Sequence, residues 1–219
     1  MPEENWLQNS DVLTLFPTLM WKIQLLPEFA ETQNLKIISA LKKINPDVTD
    51  FEETASWQSP QSLHQETELD QLMLCINSTA QKVLRFLNIG ATDIKVTGCW
   101  ANVYGVGAFH RMHNHPNNYL SGVYYVRVPS GANTINFHDP RPQASVIRPP
   151  ATQLTGQNTD QVVVEVTEGT LLLFPSYLMH SVDANDSSEP RISISFNFMF
   201  SEFAETMSKP LWESPPSGA

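Results

Sequence analysis

Six segments of alternating or continuous apolar character follow one another after Gly90, and they commit this part of the chain to a sheet-built fold. They are Ile94 to Tyr104, Tyr119 to Val128, Thr134 to His138, Val162 to Val166, Thr170 to Phe174, and Ile192 to Phe200. Pro129-Ser130-Gly131 and Glu168-Gly169 supply turns between them. Ahead of Gly90 the texture is different. Thr18 to Ile23, next to Phe16-Pro17, reads as a short strand. From Pro27, residues Phe29, Leu35, Ile38, Leu41 and Ile44 recur at mostly helical spacing until Asn45-Pro46. Asp47 to Gln65 is polar and turn-rich, anchored by Trp57 and Leu63. A second helix then carries Leu69, Leu72, Ile76, Ala80, Val83, Leu84 and Leu87 on one stripe and stops at Asn88-Ile89-Gly90. Two helices followed by many short strands predict an antiparallel double sheet packed against helices. That is a mainly β fold with flanking α-helices, arranged as a jelly roll.

The chain has 219 residues, 41% of them hydrophobic, which is ample for one core and short for two independent enzyme domains. The expected division is a single domain over 1–219. Residues 1–90 would be the N-terminal strand and helical support, 91–200 the jelly-roll core, and 201–219 a C-terminal extension. The Pro and Ser residues of 208–218 point to a loose tail. A net charge of −10, from 23 acidic against 13 basic residues, argues against a nucleic-acid partner. Cys75 and Cys99 could pair, but they have no metal-ligand or redox spacing. The start, Met1-Pro2-Glu3-Glu4, has no basic region leading into an apolar run, and no stretch approaches a membrane span. A cytoplasmic protein is the expectation. Nothing in the sequence speaks to oligomeric state.

Half of the six histidines lie in Phe109-His110-Arg111-Met112-His113-Asn114-His115-Pro116. Residues two apart on extended backbone point to the same face, so His113 and His115 can offer two imidazoles to one ion. His180 follows the apolar Leu171-Leu172-Leu173-Phe174 segment and the turn at Pro175-Ser176, and is the candidate third ligand. Three nitrogen ligands leave positions open for a cosubstrate. Iron suits such a site, and zinc, nickel, copper and manganese compete. The same His-x-His pair also arises as surface polarity or as a structural hydrogen-bonding pair. His110 is a competing ligand, better placed in the preceding loop or behind the ligands. His138-Asp139 is a second competitor. Arg191 offers a guanidinium fork to a carboxylate, with Ser193 on the same strand face and Ile192 and Ile194 turned the other way. A surface ion pair is the plain alternative for that arginine. Asn102, or Tyr125 from the next strand, could bond a carboxylate near the metal, and each could equally be structural. Trp100 reads as packing or as a cavity wall. Gly105-Val106-Gly107 reads as a bend over the mouth of the site and lacks the context of a dinucleotide fingerprint.

Taken in order, several motifs resemble the iron(II)/2-oxoglutarate-dependent oxygenase superfamily. They are Cys99-Trp100-Ala101-Asn102-Val103-Tyr104, His113-Asn114-His115-Pro116, Leu120-Ser121-Gly122-Val123-Tyr124-Tyr125-Val126, Phe137-His138-Asp139-Pro140-Arg141-Pro142, Leu173-Phe174-Pro175-Ser176, His180, and Arg191-Ile192-Ser193-Ile194-Ser195-Phe196-Asn197. The pattern is more closely similar to a small group of oxygenase-like proteins distantly related to prolyl hydroxylases. Phe16-Pro17 and Trp57-Gln58-Ser59 resemble that group's N-terminal pattern. The resemblance implies a double-stranded β-helix of cupin-like type, with Fe(II) held by His113, His115 and His180. It also implies 2-oxoglutarate as cosubstrate, held through Arg191 with Ser193, and more loosely through Asn102 and Tyr125. The implied reaction consumes molecular oxygen and an unidentified organic substrate, hydroxylates that substrate and releases succinate and carbon dioxide. One departure stands out: His115 occupies the position where the superfamily places an aspartate. A cupin-type dioxygenase or isomerase that uses no 2-oxoglutarate is the alternative enzyme, and a non-catalytic jelly-roll binding module is the alternative outside catalysis.

Overall fold

The computed structural model describes residues 8–51, 55–90, 93–141, 143 and 146–204. The proposed loose tail at 208–218 lies outside them. In chain order the elements are β1 (Trp21–Gln24), α1 (Pro27–Ile44), β2 (Ser56–Gln58), α2 (Asp70–Phe86), β3 (Ile94–Tyr104), β4 (His110–His113) and β5 (Leu120–Arg127). They continue with β6 (Thr134–His138), β7 (Gln161–Glu165), β8 (Thr170–Pro175), β9 (His180–Val182), β10 (Arg191–Phe200) and α3 (Ser201–Ala204). Among the described residues no helix is long and apolar enough to cross a membrane.

Helix α1 starts where Pro27 fixes φ for the first turn, with Glu28 at its positive end and Lys42 and Lys43 at its negative end. Its buried face is Ala30, Gln33, Asn34, Ile37, Ala40 and Leu41, whereas Leu35 and Ile44 are exposed. The helix is therefore rotated from the stripe that periodicity predicts. Part of the reason is polar: the Tyr124 hydroxyl donates to Asn34 Oδ1 at 2.7 Å, drawing an amide into the interior. Helix α2 buries the predicted Leu72, Ile76, Ala80, Val83 and Leu84. It stops at Asn88, whose φ is 54°, with Ile89 N–H bonded to Leu84 O and Asn88 N–H to Arg85 O. Those two bonds satisfy carbonyls that the helix end leaves open.

The strands form two sheets, a six-stranded one in the order β1-β8-β5-β10-β3-β2 and a four-stranded one in the order β4-β9-β6-β7. All named strand pairs are antiparallel. This corrects the expected cupin-like jelly roll. The fold is a mixed α and β arrangement of two open antiparallel sheets with flanking helices, and the sheets do not close into a barrel. Each ends in free edge strands, β1 and β2 in one and β4 and β7 in the other. Alternation along a strand specifies which faces are buried but carries no record of whether the outermost strands bond to each other, so closure could not be read from the sequence.

The helices cover one face of the larger sheet, where Ile37, Leu41, Leu72 and Ile76 pack with Cys99, Ala101, Val103, Ile192, Ile194 and Phe196. A second cluster fills the space between sheets, joining Val123, Tyr125, Leu172 and Phe174 to Ile135 and Phe137. Strand alternation thus sends Ile192 and Ile194 toward the helices and leaves Arg191, Ser193 and Ser195 for the space between sheets. Cys75 and Cys99 are free thiols.

One packing constraint is severe. A Cβ placed on Gly122 in β5 would lie 2.3 Å from Phe196 Cζ and 2.6 Å from Leu172 O. The carbonyl belongs to the neighbouring strand and cannot yield without opening the ladder. Gly122→Ala is expected to destabilise the protein by about 3 kcal/mol, the upper range for overpacking, in a denaturant titration.

Candidate metal centre

Strands β4 and β9 lie side by side with His113 directly opposite His180. His115 follows β4 in a loop whose N–H at His115 bonds to Ser176 O at 3.0 Å. Its anchor is therefore the turn that precedes His180. This pairing brings all three predicted imidazoles together. One ring nitrogen from each of His113, His115 and His180 lies within 4.8 Å of the others, close enough to share one metal ion. Ring centroids are 5.0 Å apart for His113 and His115, 4.2 Å for His113 and His180, and 5.2 Å for His115 and His180.

Hydrogen bonds select the tautomer of two rings. Nδ1 of His113 lies 2.8 Å from Arg111 O, and Nδ1 of His180 lies 2.9 Å from Leu178 O. A carbonyl only accepts, so each Nδ1 carries the proton and each Nε2 presents a lone pair for a metal. Burial, the leading cause, lowers all three imidazole pKa values from the ordinary 6.5, His115 to about 4 and His180 to about 3. Mutual repulsion within the cluster adds to the shift for His115 and His180. The rings are consequently neutral ligands at neutral pH.

That shift has a stability consequence. In the metal-free protein the unfolded chain takes up protons near 6.5, whereas folded His115 and His180 resist until about 4 and about 3. Their contribution is full above pH 6.5 and is lost as pH falls from there through the folded values. Denaturant midpoints of metal-free protein are expected to decline across that window, and His180→Gln should flatten the decline.

His110, the competing ligand, lies apart. It stands on β4 outside the three-ligand group and stacks on His113, with centroids 4.2 Å apart and planes 22° apart. The Tyr104 hydroxyl bonds to its Nδ1. His138 is also elsewhere: Nε2 meets Ser181 Oγ at 3.0 Å, and Asp139 is paired to Arg141 at 2.8 Å. Among the described residues His113, His115 and His180 are the one such group.

A narrow cavity of about 40 Å³ adjoins the cluster. Its walls include Trp100, Asn102 and Tyr104 from β3, Arg191, Ser193 and Ser195 from β10, and Val123 and Tyr125 from β5. Cross-strand register explains the gathering: Arg191 faces Tyr104, Ser193 faces both Asn102 and Tyr125, and Ser195 faces Trp100. Arg191 is 3% exposed. One of its nitrogens donates to Thr134 O at 3.0 Å, and its guanidinium lies 5.1 Å from the Tyr125 ring centre. No carboxylate pairs with it among the described residues. Arg191 Nε and Tyr125 Oη are both buried without a hydrogen-bond partner. Leaving such groups unpaired is costly, and an acceptor-rich anion in the cavity would satisfy both. The amide of Asn102 is already engaged, its oxygen by Gln58 at 2.7 Å and Trp100 at 3.2 Å, its nitrogen by Ser195 at 2.8 Å. Trp100 stands 5.8 Å from the His115 ring as part of the wall.

The sequence reading missed the device that holds the bend before β4. Asn185, 2% exposed, donates to Tyr104 O and Glu189 O, while its backbone N–H meets Ala108 O at 3.0 Å and its carbonyl accepts from Gly107. Gly107, with φ of 76°, supplies the predicted bend. An isolated asparagine carries no periodic signal, so only its contacts identify it.

Comparison with known proteins fits this site. A family profile described as "Putative 2OG-Fe(II) oxygenase" matches residues 98–197, the span from β3 through the histidines to β10. That stretch, a little under half of the chain, is similar to this oxygenase family. The site gathers a third histidine, His115, where that superfamily usually places a carboxylate. Solved structures share its fold at low identity. A Pseudomonas putida prolyl-4-hydroxylase is 17% identical with a TM-score of 0.56, covering 83% of this chain and 92% of its own. The non-heme alpha-ketoglutarate-dependent carbocyclase SnoK from nogalamycin biosynthesis is 15% identical with a TM-score of 0.60, covering 83% and 79%. HygX from Streptomyces hygroscopicus, solved with nickel and 2-oxoglutarate, is 12% identical with a TM-score of 0.57, covering 84% of each chain. No curated protein matches the sequence.

Proposed function

We propose that the protein is an iron(II)- and 2-oxoglutarate-dependent dioxygenase that hydroxylates an organic substrate and releases succinate and carbon dioxide. The observation that carries this reading is Arg191, a buried guanidinium without an acidic partner among the described residues, in the same cavity wall as the three histidines. An isolated metal site has no need of it, whereas a dicarboxylate cosubstrate does. The profile match over residues 98–197 supports the cosubstrate, and HygX is a structural neighbour solved with 2-oxoglutarate bound.

In this reading His113, His115 and His180 hold the iron through neutral nitrogens, and Arg191 with Ser193 grips the far carboxylate. The Tyr125 hydroxyl, free to donate, adds a bond to the same end, and Asn102 keeps Trp100 and Ser195 in place beside it. Bound iron supplies the oxygen chemistry, coupling oxidative decarboxylation of the oxoacid to attack on a substrate C–H. The chain's own groups fix orientation. Arg191 aims the oxoacid end toward the histidines, and Phe174, Val123 and Ile135 exclude water around it. Three neutral imidazoles leave the full dication charge at the metal, one unit more than the usual triad, which strengthens attraction for a dianionic cosubstrate.

The test is turnover of 2-oxoglutarate by protein reconstituted with Fe(II). Succinate should appear in proportion to oxygen consumed and only with metal present, even without the primary substrate. Consumption of oxygen with 2-oxoglutarate untouched would instead indicate an oxygenase that does not use the oxoacid.

A further inference from the structure

Behind the wall that carries His180 lies a second, larger cavity of about 620 Å³. It occupies the open seam between β1 and β7, edge strands of different sheets, bridged where Lys22 Nζ donates to Glu165 O at 2.6 Å. One wall is formed by Met20, Phe137, Val162, Val164 and Leu178, with the polar Gln157 and Thr159 also lining it. The other is the segment before β1, where Val12, Leu13, Leu15 and Phe16 are 98%, 77%, 68% and 93% exposed. Four large apolar side chains in five residues line this cavity and stay wet, and none of the described residues fills it.

The charges around the cavity say what the filling is. Asp139 is held by two bonds from Arg141, Asp160 is paired to Arg148, and His138 Nε2 is occupied by Ser181. Among the described residues no lining charge is left unpaired for a charged ligand, and the volume is that of a small-molecule site. We infer that this seam binds a neutral apolar small molecule, sandwiched between the Val12–Thr18 segment and the β6–β7 face. The site is separate from the metal cavity but adjacent to it. Phe137 stacks near both Phe174 and His180, at 5.0 and 6.0 Å, and Leu178 supplies the carbonyl that orients His180.

The probe is N-phenyl-1-naphthylamine, which is neutral, apolar and fluorescent when shielded from water, titrated into the full-length protein. One saturable site is expected. Val162→Asp, which places a carboxylate in the wall, should weaken it by about tenfold or more, and Leu15→Ser by a similar factor. Leu15 is largely exposed, so its variant keeps the fold even if Val162→Asp does not. Leu35→Ser, on an exposed part of α1 outside the cavity, should leave binding unchanged. The anionic probe 8-anilinonaphthalene-1-sulfonate should bind at least about tenfold more weakly. Absence of saturable binding, or equal binding by wild type, Val162→Asp and Leu15→Ser, would overturn the site. So would sedimentation showing a dimer that Leu15→Ser dissociates, because a second copy of the chain would then be the occupant.

Discussion

His180→Ala is expected to abolish stoichiometric iron binding and, with it, all 2-oxoglutarate turnover. His180 is the most buried of the three ligands, and its Nδ1 contact with Leu178 O leaves the Nε2 lone pair for the metal. Groups that merely orient a ligand are worth about 10–100-fold in metal affinity, so removing a ligand itself should cost more than about 100-fold. His113→Ala should behave alike. His115→Asp is the informative contrast, because it restores the usual carboxylate at a position anchored through backbone by Ser176. Iron binding should survive it while the charge of the site drops by one unit. Iron measured per protein chain after gel filtration separates these cases. Undiminished iron in both His113→Ala and His180→Ala would remove the ligand set.

Arg191 gives the second large effect, and it has a sign that a purely structural arginine would not produce. Arg191→Met keeps side-chain volume but removes the charge, and should weaken 2-oxoglutarate by about 3 kcal/mol, roughly 100-fold, the scale for truncating a buried ionic contact. Iron occupancy should be unchanged, since Arg191 is not a ligand. Stability of the cosubstrate-free protein should hold or rise, because a buried cation without a counter-charge among the described residues is a cost that methionine relieves. An arginine that served the fold would show the opposite: lost stability with cosubstrate affinity intact.

The parts of this structure that were legible in sequence are those written in periodicity. Helix α2, strand β3 and strand β6 carry a clean pattern, and the inward Arg191-x-Ser193 face follows from period-two alternation that the sheet register reproduces. What periodicity cannot encode is partnership. Strands β4 and β9 are four and three residues long, too short for a pattern of their own, yet their pairing is what sets His113 against His180. The face of α1 is set partly by one Tyr124–Asn34 bond, which hydrophobicity ranks on the wrong side. Sheet closure was misread for the same reason, since two open sheets and a closed jelly roll share the same alternating strands. The stack of His110 on His113, steadied by Tyr104, and the Asn185 clamp depend on side chains brought together from different elements.

The most direct measurement is a calorimetric titration of 2-oxoglutarate into Fe(II)-loaded protein without oxygen. One equivalent should bind, with binding lost when the metal is withheld and about 100-fold weaker in Arg191→Met. Binding that is absent, or that is indifferent to both the metal and Arg191, would rule out a 2-oxoglutarate site built on the histidines and Arg191.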